Sequence, residues 1–165
     1  MTPRLQARIV KMFGWQMAPG YDYYLWVDNS CQLSHPDSLK WFLDFCQDVV
    51  VFKHPTRKTV QEEADYLKYR LSIKCSYITP RYQNELIDEE LKEVDPSQTL
   101  LASTAFMYKN TPQVQTMLKE WWYHTSRYHS IDQLALPYVL RESGLAVSVI
   151  PESYLKIPYL KYVRK

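Results

Sequence analysis

Three short polar groups carry residue types suited to binding a charged, hydroxyl-rich ligand: Asp28-Asn29-Ser30, the stretch 54–57 with His54 and Arg57, and Asp132-Gln133. Brought together they would offer carboxylates, a cation and an amide. Asp28 closes an aromatic and β-branched run at residues 21–27, the composition of a buried strand. A carboxylate at the carboxyl end of an α/β strand stands where such sheets bind ligands. Each group also has an ordinary reading. Asp28 can cap the next turn, His54 can pack half-buried, Arg57 can be a surface charge, and Asp132 can be a helix N-cap. Upstream, Arg4, Arg8 and Lys11 share a helical face, which in an isolated helix is a solvated basic stripe.

The elements that must position these groups are legible as periodicities. Residues 4–17 (RLQARIVKMFGWQM) place Leu5, Ile9, Met12 and Phe13 on one helical face, and Pro19-Gly20 ends the segment before a strand at 22–27. Ser34-His35-Pro36-Asp37 opens a second helix, with Pro in its first turn and Trp41, Phe42 and Phe45 facing inward. Val49-Val50-Val51-Phe52 reads as a buried strand. Thr59 and Glu62 form a capping box for a helix reaching Tyr69.

A further helix at 82–93 carries Glu85, Asp88, Glu89, Glu90 and Glu93 as an exposed face, and Asp95-Pro96-Ser97 breaks it. The strand at 100–108 (LLASTAFMY) has small residues at its centre, which let a ligand or another backbone come close. Asn110-Thr111-Pro112 caps a helix through Trp121 and Trp122. Ile131-Asp132-Gln133-Leu134 opens another that stops at Gly144, and residues 146–150 (AVSVI) form a last short strand. Nothing in the tail at 154–165 predicts regular structure. Strands alternating with helices indicate one α/β domain over residues 1–165, with a mixed, largely parallel sheet flanked by helices. In such a sheet the strand ends gather on one edge, so the three polar groups can meet there.

Composition excludes several function classes. With 165 residues, 46% hydrophobic and 23% charged, the chain can bury a real core. Three glycines, and no G-x-G-x-x-G or G-x-x-x-x-G-K-[ST], argue against a glycine-rich phosphate loop. A net charge of +2 is too small to call for nucleic acid. Cys31, Cys46 and Cys75 form no zinc spacing and read as reduced thiols. With neither a signal peptide nor a membrane-length apolar run, the expected location is cytoplasmic.

The blocks "YDYYLWVDNSCQL", "VVVFKHPTRKTVQEEADYL" and "SIDQLALPYVL", in that order, resemble a glycosyltransferase group. It includes the plant mucilage-related and turgor-regulation-defect proteins and the chlorella virus capsid glycosyltransferase. The resemblance covers most of residues 1–150. It implies a GT-A-like, Rossmann-like fold and a metal-dependent transfer of a sugar, from a nucleotide-sugar donor such as a UDP-sugar, to a hydroxyl on a glycan or glycoprotein. Other glycosyltransferase domains are implied as possible partners. By position, Asp28 matches the metal-proximal acid of the D-x-D-type motif, and Mn or Mg is the implied cation. Asp132 and Gln133 match the family's Asp-Gln pair near the acceptor. Arg57 matches a basic position in its block, with His54 beside it, and Lys11 and Arg8 are placed to face the diphosphate.

Two departures from the family pattern stand out. Ser30 occupies the place of the second motif acid, and a hydroxyl binds a divalent ion more weakly than a carboxylate. The metal would then rest on Asp28 and the diphosphate, or on a further ligand from His54, His124 or His129. The residues before Asp28 read as a helix, so the base-binding half expected of the family is shortened or absent. That departure keeps a second expectation in play: a non-catalytic α/β module that binds a nucleotide sugar or a glycan.

Overall fold

The helix expected at 4–17 forms as α1, Pro3–Met17, which buries Leu5 and Met12 and bends at Phe13 (φ −121°, ψ 23°). The computed structural model describes residues 3–72, 84–128 and 131–163. The further elements are β1 (Tyr23–Val27), β2 (Cys31–Leu33), α2 (Ser38–Phe45), β3 (Val49–Lys53), α3 (Val60–Ser72) and α4 (Asn84–Glu93). They are followed by β4 (Leu101–Lys109), α5 (Pro112–Tyr128), α6 (Asp132–Ser143), β5 (Val147–Ile150) and β6 (Leu160–Tyr162). Gly144 takes a left-handed conformation (φ 64°) to end α6, a geometry that costs other residues more. Among the described residues no helix is long and apolar enough to cross a membrane.

The architecture is α/β, a mixed sheet flanked by helices, with strand order β1-β4-β3-β5. It is not largely parallel: β4 runs antiparallel to both β1 and β3, and only β3 and β5 are parallel. The cause is the way the chain enters β4. Leu100 donates its N–H to the carbonyl of Lys58, beside the loop that leaves β3, so β4 begins where β3 ends and must run back.

The centre of the sheet is buried on both faces. Val49, Val51, Phe106 and Tyr108 pack with α5 and α6 side chains on one side, including Trp121, Leu134 and Leu136. Val50, Phe52, Ala105 and Met107 pack with Phe42, Ile150 and Leu160 on the other. Each Val, Leu, Ile, Phe or Met among them, fully buried, contributes about 1.5–3 kcal/mol. The β3/β4 register shifts between Val50 and Phe52, a bulge that changes which β4 side chains face the helices.

Several local expectations need correction. The tail is not irregular throughout, since β6 pairs antiparallel with β2 from Cys31↔Tyr162 to Leu33↔Leu160. Phe45 is exposed rather than inward, and Pro36 precedes the Asp37 N-cap instead of lying in the first turn of α2. Glu90 is fully buried, so the acids of α4 are not one exposed face. Thr59 Oγ1 accepts the Glu62 N–H at 3.2 Å, but the Glu62 carboxylate turns to the Lys58 N–H, leaving half a capping box. Cys31 is buried and Cys46 half-buried, both free; Cys75 and His129 lie outside the described residues.

Candidate functional site

Lys11 is the centre of the polar cluster. It projects from α1 into the helix-covered side of the sheet, with Trp26, Phe106 and Trp121 rings 5.6–5.8 Å from its ammonium. Its Nζ donates to Asp132 Oδ2 at 2.6 Å and to Ser103 Oγ at 2.8 Å, and stands 3.9 Å from Asp28 Oδ1. Burial pulls its pKa below the ordinary lysine value, and the charges of Asp132 and Asp28 oppose that pull. One turn earlier, Arg8 pairs with the other Asp132 oxygen, Oδ1, at 3.1 Å. Arg8 and Lys11 of the basic stripe are therefore turned inward, because a carboxylate waits there.

Asp132 reaches that position as the first residue of α6. The N-cap is Ile131, and no side chain caps the helix. Its carboxylate at the helix N-terminus is favoured by the helix dipole, and it also accepts the Ser103 hydroxyl at 3.0 Å. Trp121 Nε1 donates to the Asp132 carbonyl at 2.6 Å and holds the start of α6 against α5. Gln133 follows, half-buried. Pro137 lies four residues further on inside α6 and has no N–H, so the Gln133 carbonyl lacks its α-helical donor.

Asp28 follows the last residue of β1 and leaves the turn by backbone alone: its N–H goes to Thr104 and its carbonyl accepts the Cys31 N–H at 2.9 Å. Its side chain is thereby free of capping. Oδ1 accepts the Trp26 indole N–H at 2.6 Å, and the carboxylate, 28% exposed, faces Lys11. Ser30 is tied to the tail by the Val163 N–H at 2.6 Å.

His54 and Arg57 build a second cluster at the end of β3. His54 Nδ1 accepts the N–H groups of Thr56 at 3.3 Å and Arg57 at 3.0 Å. The Arg57 guanidinium pairs with buried Glu63 and stacks 4.2 Å over the Tyr66 ring. Burial, with the adjacent Arg57 charge, pushes the His54 pKa down to about 4, so the imidazole is neutral at pH 7. Asp28 and His54 hang from opposite sides of β4, their N–H groups bonded to Thr104 and Leu100. They share a sheet end, as expected, but in two neighbourhoods. His124 belongs to a third, on α5 beside Glu93.

Arg8, Lys11, Asp28 and Asp132, each singled out in the sequence, lie together here; the sequence marks Ser103 only as a small residue of its strand. The signal for Ser103 was present as a hydroxyl in the middle of the apolar run LLASTAFMY. As a metal centre the cluster fits poorly. Asp28 and Ser30 offer one carboxylate and one hydroxyl, and Asp132 is neutralised by two cations. Among the described residues no three His, Cys, Asp or Glu side chains gather to hold an ion. Positive charge at the site comes from Arg8 and Lys11. No protein-family model matches the chain, and no match is found among the curated proteins or the solved structures.

Proposed function

We propose that the chain is a sugar-transferring domain that moves a sugar from a nucleotide-sugar donor, a UDP-sugar in the first instance, to a hydroxyl acceptor on a glycan or glycoprotein. The observation that supports this is the convergence of Arg8, Lys11, Asp28 and Asp132, from three separate stretches of chain, on one half-open cluster. The transfer breaks the bond from the anomeric carbon to the diphosphate oxygen, and the hard part is the negative charge left on that diphosphate. Arg8 and Lys11 are the side chains that can meet it. A phosphate oxygen arriving at Arg8 would compete with Asp132 Oδ1. Asp132, released on one side, would then orient the acceptor hydroxyl or take its proton. Asp28 would help set the position of the Lys11 ammonium. A cage for Mn or Mg is not complete in this donor set, and no step here depends on one.

The burial of Asp132 favours a second reading. A carboxylate with both oxygens paired and almost no exposure is a poor base until something displaces its partners. A module that binds a nucleotide sugar without turning it over would keep the same cluster.

Calorimetry with UDP-glucose, UDP-N-acetylglucosamine and GDP-mannose, each with and without Mn, tests both readings. Donor binding followed by sugar release or transfer supports the enzyme. Binding with no product over long incubation supports the module, and no binding to any donor in either buffer overturns both.

A further inference from the structure

The sheet ends on β1, and β1 is not composed like an edge. Its residues Tyr23–Val27 (YYLWV) include no proline and no charge, the devices that normally protect an edge strand from pairing. Among the described residues it pairs only with β4. Within that pair, the Asp28 N–H to Thr104 and the Asn110 N–H to the Asp22 carbonyl assign the even-numbered residues to the β4 ladder. Tyr23, Leu25 and Val27 therefore turn their N–H and C=O groups to the open side.

The surroundings of that edge are apolar. A cleft of about 200 Å³ separates β1 from α1, lined by Val10, Gly14, Met17, Leu25 and Trp26 among others. Val10 and Met17 are 47% and 57% exposed on its α1 side. In β1 Tyr23 is exposed and the other four side chains are only half-buried, whereas β4 is buried from Leu101 to Tyr108. An acid stands at each end of the edge: Asp22, exposed, before β1, and Asp28, partly exposed and shared with Lys11, after it.

We propose that the free edge of β1 is a docking site for an extended segment of another polypeptide, an apolar run flanked by Lys or Arg, which joins the sheet as an additional strand. Backbone bonds from Tyr23, Leu25 and Val27 supply affinity in this mode, and alternate side chains supply specificity. The acidic ends select basic flanks. They also disfavour a second copy as occupant: full overlap of two β1 strands, centred on Leu25, would set Asp22 opposite Asp28 of the other copy at both ends. The inference does not rest on the sugar-transfer reading, although Asp28 serves in both.

The test uses the full chain and a synthetic peptide of alternating Val and Thr with paired Lys at each end. Titration should slow amide exchange at Tyr23, Leu25 and Val27 and leave the β4 amides unchanged. The same peptide N-methylated at alternate residues, so that it cannot donate to the edge, should bind at least about tenfold more weakly. Replacing its Lys by Glu should weaken it in the same direction. Leu25→Pro in the protein, which removes an edge N–H without touching the β4 ladder, should match the N-methylated result. Equal binding of the methylated and unmethylated peptides, no protection at the three amides, or a stable dimer of the chain alone in sedimentation each overturns the proposal.

Discussion

Lys11 Nζ and Asp132 Oδ2 stand 2.6 Å apart with both side chains sealed from solvent, although 121 positions separate them in the chain. The pair joins α1, the first element, to the start of α6, and Ser103 of β4 bonds to both members. Such a pair contributes little net stability while intact, but removing one partner leaves the other charge buried without it.

Lys11→Met should therefore cost about 3–5 kcal/mol in urea unfolding. Asp132→Asn should also be costly, and the double variant should cost clearly less than the sum of the two. Additive losses would show that the two groups do not depend on each other.

Asp28 separates site chemistry from stability. Asp28→Asn keeps an oxygen to accept the Trp26 indole N–H, so unfolding should shift by less than about 1 kcal/mol. Under the sugar-transfer reading, donor turnover should fall by about 100-fold or more, a loss of about 2.7 kcal/mol of transition-state stabilisation. A variant that folds and transfers sugar at the original rate removes Asp28 from the mechanism.

Acid stability should reflect His54. Its folded-state pKa, about 4, lies below the ordinary 6.5, so the unfolded chain binds the proton first as pH falls. Stability contributed by the neutral imidazole is present above pH 6.5 and is lost as pH drops through 4. Burial also lowers the pKa of His124, so it adds a loss of the same sign. His54→Asn should flatten the slope of unfolding free energy between pH 6.5 and 5, where most carboxylates remain ionised. An unchanged slope would contradict a half-buried, neutral His54.

Gly14 follows the bend in α1, and its φ is not in the left-handed region. A Cβ there would meet Tyr108 Oη at 3.6 Å and Tyr24 Cδ1 at 4.0 Å, ordinary contacts. Gly14→Ala should thus raise stability by about 0.5–1 kcal/mol, as glycine in a helix is the costlier residue. A fall in melting temperature would show that the bend at Phe13 needs the glycine.

The identities of most elements were open to reading because their causes are local. The helical face of Leu5, Ile9 and Met12, the apolar run at Val49–Lys53 and the glycine stop at Gly144 each act within a few residues. Two carboxylates of the cluster were legible too, Asp28 at a strand end and Asp132 at a helix start. Strand direction was not, since the run LLASTAFMY has the same pattern whichever way it lies, and only its entry beside Lys58 makes β4 antiparallel. The β2/β6 pair was hidden for the same reason: three residues carry no period, and what orders them is a partner at the far end of the chain.

Burial of charge was the other decision left to the tertiary structure. In the sequence, Arg8 and Lys11 are a basic stripe and Glu90 one acid among five. Lys11 goes inside because Asp132, Ser103 and three aromatic rings meet it there. The β4 bulge turns Ser103 to the same side. No window of the sequence contains both ends of such an interaction, so residue types marked candidate polar groups, while the fold alone determined which charges would face one another out of water.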